Sequence, residues 1–68
     1  MGLQEKELGI QMKEARESKK LTQQEVAKKT GMTATYYAMI ERGEVNPSWE
    51  KVNSILNVLD LKISIDEK

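Results

Sequence analysis

One stretch of this chain leaves its backbone very little choice. Thr22-Gln23-Gln24-Glu25 has the pattern of a reciprocal cap, in which a threonine hydroxyl and a glutamate three residues later each satisfy a free backbone N–H. Leu21 before it and Val26 after it supply the apolar pair that staples such a start. The pattern predicts a helix over about 23–29 that Gly31 stops, glycine being the residue that best tolerates the left-handed turn past a helix end. Thr33 then caps a third helix over 34 to about 41, ended in the same way by Gly43. Two short helices are thereby forced together about a tight glycine turn.

The flanks read more simply. Leu8, Met12 and Ala15 recur at helical spacing and predict a first helix over about 5–19, with Gly9 a weak point that invites fraying of its first turn. Asn46-Pro47 breaks the chain, because the residue before proline is driven out of the helical region. Ser48 follows as a cap for a fourth helix, whose apolar stripe is Trp49, Val52, Ile55, Leu56 and Leu59. From Leu61 to Asp66 apolar and polar residues alternate, which predicts a short half-buried strand. The expected organisation is one domain over 1–60 and a strand or tail over 61–68.

Composition narrows the chemistry. The chain has 68 residues, no Cys and no His. Disulfides, thiolate zinc sites, thiol nucleophiles and histidine bases are therefore excluded, and no metal or cofactor is expected. The four glycines are scattered, so no glycine-rich phosphate loop exists. So small a helical chain has little room for a water-excluding pocket, and an enzyme is not expected. The N-terminal MGLQEKELGIQM is charged and lacks an apolar run, and Lys6 stands where a myristoylation signal needs Ser or Thr. No membrane contact and a cytoplasmic location are expected.

The 11 basic and 11 acidic residues cancel, but unevenly along the chain. Lys19, Lys20, Lys28, Lys29 and Arg42 outnumber Glu25 and Glu41 over 19–43, between two acidic flanks. A basic middle suits a polyanion better than the net charge implies.

Four pieces occur together in register: Leu21-Thr22-Gln23-Gln24-Glu25-Val26-Ala27, Gly31-Met32-Thr33, Ile40-Glu41-Arg42-Gly43 and Asn46-Pro47-Ser48. With these, the stretch from Leu8 to Leu59 resembles the Cro and phage-repressor type (XRE) helix-turn-helix domain. The resemblance implies an all-α, lambda-repressor-like bundle of four to five helices that binds double-stranded DNA as a homodimer, with the third helix in the major groove. It further implies base contacts from Ala34, Thr35, Ala38 and Met39, and phosphate contacts from Gln23, Tyr36, Arg42 and Asn46. An ion pair between Arg16 and Glu41 is implied as well. Tyr37 and Ile40 face inward, and the bulk of Tyr37 predicts a ring partly at the surface. None of the base-contact positions carries Arg, Lys, Gln or Asn, so direct readout would be largely apolar.

These expectations add up to a sequence-specific transcriptional regulator, a repressor on a palindromic operator. The tail offers alternatives, because Asn57 to Ile65 looks like the ends of HipB-type antitoxins, which bind a toxin protein as well as DNA. A restriction-modification controller is a further alternative. Leu61, Ile63 and Ile65 would share one face of the strand and pair with a second copy as the dimer interface.

Overall fold

The computed structural model describes residues 5–61, and within them the chain forms four helices. These are α1 (Glu5–Ser18), α2 (Gln23–Thr30), α3 (Ala34–Glu41) and α4 (Trp49–Leu59). Each of the last three starts where its cap stands. At α2 both halves of the capping box form, with Glu25 N donating to Thr22 Oγ1 at 3.0 Å and Thr22 N donating to Glu25 Oε1 at 2.7 Å. Tyr36 N donates to Thr33 Oγ1 at 3.1 Å, and Lys51 N donates to Ser48 Oγ at 3.3 Å.

All four helices end alike. A residue of positive φ follows each one (Lys20, Gly31, Gly43, Asp60), and the next N–H reaches back to the carbonyl five residues earlier. At three of these ends the residue after the turn is apolar: Leu21, Met32 and Leu61 all pack on the core. This corrects the expectation for Leu61. It lies in no strand; its N–H donates to Leu56 O at 2.9 Å, and its side chain closes the end of α4. No strand occurs among the described residues, and Ile63 and Ile65, expected beside Leu61 at a dimer interface, lie outside them.

The core is built from Met12 of α1, Val26 and Ala27 of α2, Tyr37 and Ile40 of α3, and Val52, Ile55, Leu56 and Leu59 of α4. Helix α2 packs on α3 and α4, and α1 packs on α3 and α4. Two positions depart from the periodic pattern. Trp49 falls out of the α4 stripe and is 59% exposed, because it occupies the first turn, beyond the edge of the core. Gly9 is no mere weak point: it is buried, and a Cβ there would collide with the backbone carbonyl of Glu41. Only a residue without a side chain lets α1 approach the end of α3 this closely.

Candidate nucleic-acid interface

Helix α3 divides its sides unequally. Tyr37, Ile40 and Glu41 are buried, while Thr35 is exposed. Ala34 and Tyr36 are half-buried and lean on the core. Ala38 and Met39 are half-buried without joining it. The outward surface of the helix is thus Thr35, Ala38 and Met39, with Ala34 and Tyr36 at its margins.

Tyr37 differs from expectation. Its ring is wholly buried, and its hydroxyl has no partner in hydrogen-bonding geometry. Burial first, and then the nearby Glu41 carboxylate, push the phenol far above the usual tyrosine range. The ring goes inside because α3 has eight residues and must present a large apolar group to α1 and α2, the helices it packs on.

Beside Tyr37 lies a polar cluster that ties three helices together. Arg16 Nε donates to Glu41 Oε2 at 2.6 Å and Nη2 donates to Glu41 Oε1 at 3.3 Å, while Nη1 donates to Leu21 O at 2.8 Å. Gln23 Nε2 donates to Glu41 Oε1 at 3.0 Å. The Arg16 and Glu41 side chains are 11% and 3% exposed. Burial alone would raise the Glu41 carboxyl, but the hydrogen bonds it accepts, Arg16's above all, outweigh that and hold it below its ordinary value. One carboxylate thus sets the angle between the start of α2 and the end of α3.

Outside this cluster the cleft opens to solvent. Its volume is about 430 Å³, and Ile10, Lys13, Gln23, Glu41 and Arg42 line it. The first N–H groups of α2 have no acceptor within the helix, so the positive end of the helix dipole lies at Gln23. With Glu41 matched by Arg16 and Arg42 by Glu44, Lys13 leaves the cleft a positive balance. Backbone N–H groups, an amide and two cations are the donor set that an anion takes. Arg42 and Asn46 are both exposed, and Arg42 forms a forked pair with Glu44 at 2.9 and 3.0 Å. No group of three side chains suited to a metal ion occurs among the described residues, and no helix there is long and apolar enough to cross a membrane.

Two short helices about the Gly31 turn, a capped α2 start beside a cationic cleft, and an exposed face on α3 are one arrangement. The family model described as helix-turn-helix matches residues 12–65. The chain belongs to this helix-turn-helix family, of the Cro and phage-repressor type. Among its relatives, the ImmF control region 10 kDa protein of Bacillus phage phi105 is 37% identical over 88% of this chain and 67% of its own length. An HTH-type transcriptional regulator of Bacillus subtilis is 38% identical over 76% of this chain and 45% of its own. The immunity repressor protein of phage phi105 is 33% identical over 84% of this chain and 40% of its own. The chain spans between 30% and 67% of the length of the relatives it matches.

Within this helix-turn-helix frame, the structure brings Gln23 and Arg42 to one cleft and places Asn46 in the loop before α4. Lys13 and Ile10 line that cleft too, and neither stands out in the sequence. Lys13 reads as one more charge on the polar side of α1. Ile10, 54% exposed, reads as a stray apolar residue until the fold brings it next to Gln23 and Arg42.

Proposed function

We propose that this chain is a DNA-binding transcriptional regulator acting as a repressor. The observation that carries the reading is a cleft of Lys13, Gln23 and Arg42 at the C-terminal end of α3, the helix that leaves Thr35 exposed and Ala38 and Met39 half-buried outside the core. A helix face of this size fits the major groove, and a cationic cleft at a neighbouring helix start fits the sugar-phosphate strand along it. The presence of an immunity repressor among the relatives supports the same reading and favours repression over activation.

In this reading Ala34, Thr35, Ala38 and Met39 meet base edges, chiefly thymine methyl groups, with the Thr35 hydroxyl adding one polar contact. Gln23, Arg42 and Asn46 meet phosphates, with Tyr36 at the border and Lys13 joining them. Gln23 serves twice, its amide nitrogen holding Glu41 while its backbone N–H faces the strand. An apolar face reads few base pairs and gives each copy modest discrimination. A dimer on a palindrome, with recognition helices about 34 Å apart, multiplies it.

Selection from a random duplex pool tests this directly. Enriched sequences should be inverted repeats with thymine-rich half-sites. Arg42→Ala should weaken every duplex alike and flatten the salt dependence by about one unit of slope. Met39→Ala should spare non-specific binding and relax preference at one or two base pairs. A pool that returns no common sequence, with Met39→Ala indistinguishable from wild type, would place α3 outside the groove.

A further inference from the structure

Arg42 is exposed and lines the cleft, yet its guanidinium already has a partner. Nε donates to Glu44 Oε2 at 2.9 Å and Nη2 donates to Glu44 Oε1 at 3.0 Å. Both ends of this fork match the geometry with which an arginine takes two oxygens of a phosphate. The side chains are 56% and 51% exposed, so solvent and ions reach the pair freely. Glu44 is also held in place by its backbone. Gly43 turns the chain at φ 73°, and Glu44 N then donates to Met39 O at 2.9 Å, which anchors the carboxylate beside the end of α3.

We propose that Glu44 is an internal competitor for Arg42, a carboxylate that occupies the guanidinium fork when DNA is absent and must be displaced by a backbone phosphate. The inference rests on the reading of this cleft as a DNA-backbone site and adds a residue that lowers affinity there. Glu44 opposes binding twice, by occupying the donors and by placing a negative charge beside the strand. Being solvent-exposed, the pair is cheap to open, so Glu44 tempers binding without abolishing it. The effect acts on phosphate contact and is blind to base sequence.

A double-mutant cycle reads this out. Wild type, Glu44→Gln, Arg42→Ala and the double variant are titrated with a fluorescein-labelled duplex of random sequence across a range of salt, with urea midpoints confirming that all four fold. Glu44→Gln should bind on the order of threefold more tightly at low salt, with the gain shrinking as salt rises and the slope steepening by up to about one unit. In the Arg42→Ala background the same change should gain clearly less. An equal gain in both backgrounds would mean a diffuse charge effect and overturn the competitor role. A loss of affinity would mean that Glu44 aims Arg42 at the phosphate, and would overturn it too. A wild type that binds duplex while Glu44→Gln matches it at every salt removes the competitor and leaves the DNA reading standing. Salt-insensitive failure of all four proteins to bind removes both.

Discussion

Glu41 and Arg42 are neighbours in the chain, each holds an ion pair, and the two pairs are physically unlike. Glu41 faces inward and takes Arg16 and Gln23 between three helices, with only 3% of its side chain exposed. Arg42 faces outward and takes Glu44 two residues on, with both partners about half exposed. The same charge chemistry therefore yields an architectural joint on one side of the helix end and a reversible contact on the other. Burial makes the difference: the first pair has little water to fall back on, and the second has water and salt at every side. The joint fixes the start of α2 against the end of α3, and under the proposed function the outer pair sits where a phosphate would compete for it.

The sharpest break of that contrast is Glu41→Ala. It strands the Arg16 guanidinium and frees the α2 start from the α3 end. Removing one partner of a buried pair costs about 3–5 kcal/mol, and the lower end applies because Arg16 keeps its bond to Leu21 O and some access to water. Urea denaturation should show the loss, and where the alanine variant fails to fold, Glu41→Gln should still show a smaller one. Acid provides the matching test. The folded-state carboxyl of Glu41 lies below its ordinary value of 4.5, so its contribution is complete above that value and disappears as pH falls through the folded one. The variant should lack this part of the acid limb of the stability profile.

Gly9→Ala attacks the same joint through the backbone. A methyl group at Gly9 has no room beside the Glu41 carbonyl, so α1 must move outward and stretch the Arg16–Glu41 contact. Overpacking of this kind costs about 1–3 kcal/mol. Helix propensity alone would have alanine stabilise α1, so the sign of the change in urea midpoint separates the two effects.

Tyr37→Phe reaches the joint from its dry side. The hydroxyl is buried without a hydrogen-bond partner, so deleting it removes an unmet polar group and leaves the ring packed. The urea midpoint should rise by up to about 1 kcal/mol of stability, the reverse of the usual outcome for truncating a core side chain. A clear loss would mean that the phenol is bonded to Glu41 in solution and counts as a member of the joint.

How far this was legible in the sequence depends on range. Helix starts follow from local chemistry, and Thr22, Thr33 and Ser48 mark them because a cap needs only its own first turn. Gly31 and Gly43 mark two ends, whereas Lys20 and Asp60 do the same work without a glycine and give no signal. The alternation from Leu61 onward resembles a strand, yet Leu61 serves helix closure, since one apolar residue after a turn satisfies either pattern. Tyr37, Gly9 and Lys13 depend on where α1 lies against α3, which no local pattern encodes. The resemblance names Arg16 and Glu41 together, but it takes the fold to join Gln23 to the same carboxylate and to bury Tyr37 beside it.

The smallest expected effect concerns the outer pair and completes the contrast. Arg42→Ala and Glu44→Gln each break a forked ion pair as short as many buried ones, yet neither should move the urea midpoint beyond error. Exposed pairs lose to side-chain entropy and counter-ions most of what they gain in attraction. Raising the salt should leave even that small difference undetectable, while the loss from Glu41→Ala should persist, because ions do not enter the joint. Stability coupling between Arg42 and Glu44 that survived high salt would show that the outer pair also holds the α3 end in place. Both sides of this helix terminus would then be architectural, and a phosphate could not displace Glu44 without loosening the fold.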